Sequence, residues 1–143
     1  MIQRFEFMSH QSKLMKKFIF LCLLSAITLA HAQQWVPYSQ TSKATQYFDL
    51  QRAITMGGSA AFILDLHDMK SEENDADGKT YRSIVYAMEF NCRKEQRRIL
   101  SFQKMSESMG TGSVVSEQSQ VGEWMEVKTP AILRLMTAAC QHR

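Results

Sequence analysis

The sequence predicts an α+β domain in which an antiparallel sheet of about six strands carries a C-terminal helix on one face. Residues 81–92 alternate apolar and polar side chains, which is typical of a long, half-buried antiparallel strand. Residues 130–140 repeat apolar side chains at helical spacing. The strand ends in Cys92 and the helix ends in Cys140, so a disulfide between them is predicted to tie the helix to the sheet.

The N-terminal extension, residues 1–32, is predicted not to belong to the domain. From Met15 the chain has a basic start, an apolar run over residues 18–29 and a small-residue triplet that ends at Ala32. This pattern is typical of a bacterial signal peptide cleaved after Ala32. A membrane anchor is the alternative, but the run is short for the roughly 20 residues that span a bilayer. Met1 and Met15 are both candidate start sites.

Cys22 is not expected to carry a lipid. A lipid-accepting cysteine follows a small residue at the end of the apolar run, whereas Cys22 follows Leu21 in its middle. The exported protein is therefore expected in the periplasm, at the cell surface or in the medium. In those oxidising compartments two remaining cysteines favour a disulfide over free thiols.

Residues 33–143 are long enough for a single domain. Of 17 basic and 14 acidic side chains, residues 1–32 hold four and one, which leaves 13 of each in the mature chain. A formal charge near zero gives no general attraction to nucleic acid or to anionic lipid. Nucleic acid is not expected as a partner, and no membrane span is expected.

The first three strands are predicted in the first third of the mature chain. Residues 34–39 alternate, and Pro37 within them favours a sheet edge. Residues 45–50 form the second strand, with a short continuation at 54–56 before a Gly-Gly turn. Residues 59–67 form the third.

An acidic stretch, residues 69–79, is predicted to be a solvated loop that leads into the long fourth strand. On that strand Tyr86, Met88 and Phe90 share the face of Cys92. Residues 96–105 form the fifth strand. There strict alternation places Arg98, Leu100 and Phe102 on one face and Arg97, Ile99 and Ser101 on the other.

The chain ends with short strands and the helix. Residues 106–113 form a glycine-containing turn, and residues 114–115 and 124–127 complete the sheet. Thr129 is the predicted N-cap, and Pro130 takes the first helical position. The apolar stripe comprises Ile132, Leu135, Met136, Ala139 and Cys140. It is predicted to pack on the fourth strand.

Aromatic, apolar and cysteine positions follow one another in a recognisable order. They are Trp35, Tyr47-Phe48-Asp49, Ala61 to Leu66, Tyr81-x-Ser83, Phe90-x-Cys92, Arg97, Trp124, Val127, Pro130 and Cys140. In this order the chain resembles the surface-adhesin protein E-like family of small exported bacterial proteins. The resemblance implies a six-stranded antiparallel sheet with a disulfide-tied C-terminal helix. It also implies adhesion to host matrix or serum proteins such as vitronectin, laminin and plasminogen.

A basic cluster around the turn after the fourth strand is the candidate binding patch: Arg93, Lys94, Arg97 and Arg98. It could bind an acidic partner. The simpler interpretation is a solvated turn whose charges discourage edge pairing. Since Arg97 and Arg98 are neighbours in a strand, they point to opposite faces and cannot share one flat patch.

Three other polar groupings partly resemble known kinds of site. The stretch 73–78 departs from a calcium loop at its ligand positions. Asp65, His67 and Asp68 could form an acid-base or metal site, but an exposed histidine beside carboxylates is the simpler interpretation. The glycines of residues 110–113 lack the lysine of a phosphate loop. No catalytic residue, metal or cofactor is therefore expected.

Two functions are consistent with the sequence. One is a non-enzymatic exported protein that binds a host protein, with a homodimer left open. The other is a soluble periplasmic accessory or inhibitor protein that acts on an envelope partner.

Overall fold

A computed structural model describes residues 34–141, which form an antiparallel sheet and one α-helix. The elements are β1 (Trp35–Gln40), β2 (Ala44–Thr55), β3 (Ala60–Asn74), β4 (Thr80–Asn91), β5 (Gln96–Met105), β6 (Val114–Gln118), β7 (Met125–Glu126) and α1 (Pro130–Gln141). Strands β1 to β6 lie side by side in sequence order, and β7 pairs with β5. The predicted fold class is confirmed. The predicted signal peptide and Cys22 lie outside the described residues.

The apolar core lies between α1 and one face of the sheet. Its buried members come from strands β1 to β4 and from the helix: Tyr38, Ala53, Ala61, Ile63, Met88, Phe90, Leu135, Met136 and Ala139. The helix contacts β1, β2, β3 and β4, with most of its neighbours on β2 and β3. The predicted packing of the helical stripe on β4 is thus part of a broader contact that extends across the sheet.

The helix begins and ends as the sequence predicts. The Thr129 hydroxyl accepts a hydrogen bond from the Ile132 N–H at 3.3 Å, as an N-cap does. At the other end, Cys92 and Cys140 form a disulfide with their Cα atoms 5.9 Å apart. Both ends of the helix are therefore fixed, one by a cap and one by a covalent bond.

The predicted loop over residues 69–79 is largely strand, which corrects the prediction. Strand β3 continues to Asn74 and pairs with the start of β4, with Asn74 opposite Thr80. Its last residues are mostly exposed, and the register with β4 shifts between Asp68 and Glu73. Because this part of the strand buries little on either face, its sequence shows no alternation of apolar and polar residues.

Strand β2 is one element rather than a strand with a short continuation. Its pairing with β3 is interrupted between Asp49 and Ile54, where four residues of β2 face a single residue of β3. Such a bulge bends a strand and redirects its side chains. Ala53 consequently lies in the core beneath the helix, and Arg52 lies on the opposite face.

Strict alternation was wrong for the second half of β5. Met88 pairs with Ile99 but Ala87 pairs with Ser101, so Leu100 is an extra residue. Phe102 then pairs with Tyr86 and lies on the face of Arg97 and Ile99, not on the face of Arg98. A bulge of one residue exchanges the two faces of everything that follows it.

Candidate binding face

The face of the sheet that the helix leaves uncovered, here called the helix-free face, carries an open trough. Its volume is about 370 Å³. Leu64, Val85 and Ala87 line it on the central strands, and Ser101 and Gln103 line it on β5. This volume is in the range of pockets that bind small ligands or peptide side chains, and the lining combines apolar and polar residues as such pockets do.

Charged side chains lie at opposite sides of the trough. Arg52 comes from β2 and Glu117 from β6, and three strands separate these two in the sheet. The Glu117 carboxylate accepts a hydrogen bond from the Gln103 amide at 3.0 Å. One side of the trough is therefore basic and the other acidic.

A buried carboxylate lies close to Arg52. Asp49 is 1% exposed, and its Oδ1 accepts a hydrogen bond from the Gln51 N–H at 3.0 Å. Its Oδ2 lacks a hydrogen-bond partner in the described structure and lies 3.7 Å from Arg52 Nε. The Arg52 side chain itself is 56% exposed, so the guanidinium faces solvent above a buried negative charge.

The loop between β5 and β6 closes one end of the trough. Asp68 accepts a hydrogen bond from the Met109 N–H at 2.6 Å, and Ser83 Oγ accepts one from the Gly110 N–H at 3.0 Å. Gly110 has a φ of +71°, and a Cβ there would lie 3.0 Å from Val85 Cγ2. Glycine is needed here for both the left-handed backbone and the close approach.

Beside the trough, Arg98 is held between an acid and an aromatic ring. Its guanidinium contacts Glu89 Oε2 at 2.6 and 2.7 Å and lies 4.5 Å from the centre of the Trp124 ring. Trp124 remains 37% exposed. Because its charge is paired and its face is covered, Arg98 contributes little free charge to the surface.

The structure separates the four cations of the candidate patch. Arg93 and Lys94 are exposed at the turn between β4 and β5. Arg97 lies on the helix side, where it lines a cavity of about 190 Å³ beneath α1, and Arg98 lies on the helix-free face. Only Arg93 and Lys94 share one exposed turn.

The predicted acid-base candidates are divided between the two faces. Asp65 and His67 share the helix side, whereas Asp68 anchors the loop on the helix-free face. Asp65 is 2% exposed and accepts a hydrogen bond from the Tyr38 hydroxyl at 2.9 Å. His67 Nε2 lies 3.1 Å from Asp65 Oδ2 and 3.0 Å from the Gln46 side-chain nitrogen. His67 is only partly exposed and lies between a buried carboxylate and the Gln46 amide.

This network joins a buried carboxylate to a phenol and an imidazole. The cavity next to it is lined by Arg97, Ile99 and Ile132 besides the acid and the histidine, and it contributes no serine or cysteine nucleophile. Within residues 34–141 there is also no cluster of three or more metal-ligating side chains. The arrangement can hold the buried Asp65 carboxylate and the Tyr38 hydroxyl in place.

Burial raises the pKa of Tyr38, and the neighbouring Asp65 carboxylate raises it further. Below about pH 10 the phenol is neutral in both folded and unfolded chains. Above that pH only the unfolded chain loses the proton, so stability should fall by about 1.4 kcal/mol between about pH 7 and roughly pH 11 from this group. Urea unfolding at the two pH values measures the change.

Tyr38→Phe provides the control for that pH dependence. The variant should lose the Tyr38 part of the decline, and it should also be less stable by about 1–3 kcal/mol at neutral pH because Asp65 loses a buried donor. Tyr47→Phe, which removes a hydroxyl from a partly buried residue of β2, is the matched control. An unchanged slope in Tyr38→Phe would contradict the assignment.

The remaining predicted turns have structural explanations. Asp75 Oδ1 accepts hydrogen bonds from the N–H groups of Asp77 and Lys79, which closes the turn between β3 and β4. The glycines at 110 and 112 have positive φ values, and a strand, not a helix, follows them.

Within residues 34–141, no helix has the length and hydrophobicity of a membrane span.

Sequence reasoning missed Asp49 and Arg52 as a pair. The two residues are three positions apart, which in a regular strand would place them on opposite faces. The bulge in β2 brings them together. In the sequence the bulge shows only as a weakened alternation of apolar and polar residues between Leu50 and Ala53. A polar stretch within an otherwise alternating strand is the signal that could have identified it.

Comparison with known proteins gives a consistent result. A sequence model of the surface-adhesin protein E family matches residues 35–141. Two structures of Haemophilus influenzae protein E, one in selenomethionine form, have TM-scores of 0.58 and 0.57 at 12% and 13% identity. The alignments cover 76% and 74% of this chain and 92% of each of the others.

A crystal structure of protein E from non-typeable Haemophilus influenzae has a TM-score of 0.56 at 12% identity, covering 80% of this chain and 92% of the other. At these identities the structures show a shared fold. No curated protein sequence matches the chain significantly.

Proposed function

The chain belongs to the surface-adhesin protein E family, and from this membership we propose that it is a non-enzymatic exported protein that binds other macromolecules. The observation that carries the proposal is the family match over residues 35–141, which includes every strand and the helix. The open trough on the helix-free face supports a binding role. The finer proposal is that the partners are host matrix or serum proteins such as vitronectin, laminin and plasminogen.

A capture experiment tests this function. Purified residues 33–143 are passed over immobilised vitronectin, laminin and plasminogen, with serum albumin as the control surface. Saturable binding to at least one of the three at about micromolar concentration is expected. Binding to none of them, or equal binding to albumin, would contradict adhesion.

The second candidate is a periplasmic accessory or inhibitor protein with an envelope partner. The observation that favours it is Cys22, which follows Leu21 rather than a small residue, so no lipid anchor is expected. Cell fractionation with protease digestion of intact cells distinguishes the two functions. An adhesin is digested from outside, whereas a periplasmic protein is protected and should co-purify with its partner.

Export through a signal peptide cleaved after Ala32 is part of the same proposal. The intact mass of the secreted protein tests it, since cleavage there leaves Gln33 at the N-terminus.

A homodimer of this chain is a further proposal. Sedimentation of the secreted protein distinguishes a monomer from a dimer.

The exposed turn at Arg93 and Lys94 provides a further prediction about acidic partners. Replacing both residues with serine should lower the salt concentration at which the protein elutes from heparin resin, because two unpaired cations are lost. Replacing Lys43 and Lys79, exposed in two other turns, is the control with the same charge change. Equal elution of wild type and the Arg93/Lys94 variant would remove this turn from consideration.

A further inference from the structure

We propose that the trough is the site of the binding function and that it takes an extended peptide segment of a partner protein, one that presents a carboxylate beside an apolar side chain. The inference rests on the proposed function and adds to it the location and the chemistry of recognition. Shape, charge and the neighbouring apolar surface each support it.

The carboxylate is assigned to Arg52. The contact with Asp49 is made through Nε of Arg52, which lies 3.7 Å from Asp49 Oδ2. Within the described residues neither Nη group has a hydrogen-bond partner, and the side chain is 56% exposed. An exposed guanidinium of this kind can make two parallel hydrogen bonds with a carboxylate.

The apolar part of the segment is assigned to the surface next to Arg52. Ile54 lies two residues further along β2, on the same face as Arg52, because Ala53 between them is buried beneath the helix. Ile54 is 55% exposed, and Leu64, Val85 and Ala87 continue the apolar surface into the trough. A side chain adjacent to the bound carboxylate would cover this surface.

Glu117 determines on which side of the trough the acidic residue of the segment lies. Its carboxylate lies at the side of the trough away from Arg52, so a second acidic group there would be repelled. Ser101 and Gln103 lie between the two charged sides and can hydrogen-bond to the backbone of an extended chain. The arrangement therefore favours a segment with its acidic residue toward β2.

The test uses two acetylated and amidated tripeptides, Leu-Glu-Leu and Leu-Gln-Leu, which differ only in the carboxylate. They are titrated to about millimolar concentration into the ¹⁵N-labelled protein, purified after export so that the disulfide has formed. The Glu peptide should shift the amide resonances of Arg52, Ile54, Leu64 and Ala87. It should bind about tenfold more tightly than the Gln peptide, a difference of about 1.4 kcal/mol.

Arg52→Glu should abolish the preference for the Glu peptide, whereas Arg93→Glu, the same charge reversal at the distant turn, should keep it. Ala87→Phe should weaken both peptides by filling the trough, and its thermal midpoint shows whether it still folds. Equal binding of the two peptides to wild type, or shifts confined to the β4–β5 turn, would overturn the proposal. Absence of any shift at millimolar peptide would overturn it as well.

Capture on whole host proteins separates this inference from the function on which it rests. If wild type and Arg52→Glu are captured equally, the binding function stands and the trough is not its site. If wild type captures no host protein but prefers the Glu peptide, the trough is a peptide site and the host partners are wrong.

Discussion

Loss of the disulfide should lower the free energy of unfolding by about 4 kcal/mol. The bond joins Cys92 to Cys140 across a separation of 48 residues, and opening a loop of that length releases a large amount of chain entropy in the unfolded state. The Cys92→Ser/Cys140→Ser double variant and the reduced wild type should show the same loss in urea unfolding. For a domain of this size that is a large share of its total stability.

The disulfide-free protein also tests how the helix is held. Thr129 caps the helix, and Leu135 and Ala139 are fully buried, so the helix should stay docked at low urea concentration after reduction. Circular dichroism before and after reduction measures the helix content. A loss of stability below about 1 kcal/mol would show that the loop is already restricted in the unfolded chain.

Phe90→Ala should cost about 3–5 kcal/mol, because Phe90 is fully buried at the centre of the core and the cavity left behind cannot close around the rigid sheet. The loss should appear as a lower urea midpoint with an unchanged slope. Phe62→Ala is the matched control. Phe62 is only partly buried on the opposite face, one residue from Ile63, and its replacement should cost about 1 kcal/mol.

A small effect of Phe90→Ala together with a large effect of Phe62→Ala would reverse the assignment of the two faces. The helix would then pack on the other side of the sheet. Because the register of β3 with β4 pairs Ala61 with Phe90 and Phe62 with Glu89, the two variants report on opposite faces at neighbouring positions.

Where burial is one-sided, the sequence was sufficient to predict the structure. Strand β4 and helix α1 each bury one apolar face, so alternation identified the strand and the spacing from Ile132 to Cys140 identified the helix. The disulfide followed from the position of Cys92 at the end of the inward face. These elements needed no knowledge of distant contacts.

The features that escaped prediction depend on pairing between strands. The extra residue at Leu100 leaves no mark in composition, yet it moves Phe102 to the helix side. The end of β3 is polar on both faces, so nothing distinguishes it from a loop. The candidate site depends on such features, since Arg52 reaches the trough only through the bulge in β2.

The sequential order of the strands has a consequence for the way the protein assembles. Strands β1 to β6 need only hairpin closures between neighbours, which are fast because the loops are short. The helix arrives last and hydrogen-bonds through Arg134 to the carbonyl of Tyr38, a residue 96 positions earlier. Until the twelve residues of α1 dock, Ile63 and Phe90 lack their cover, and a chain in that state exposes an apolar surface that is prone to aggregation.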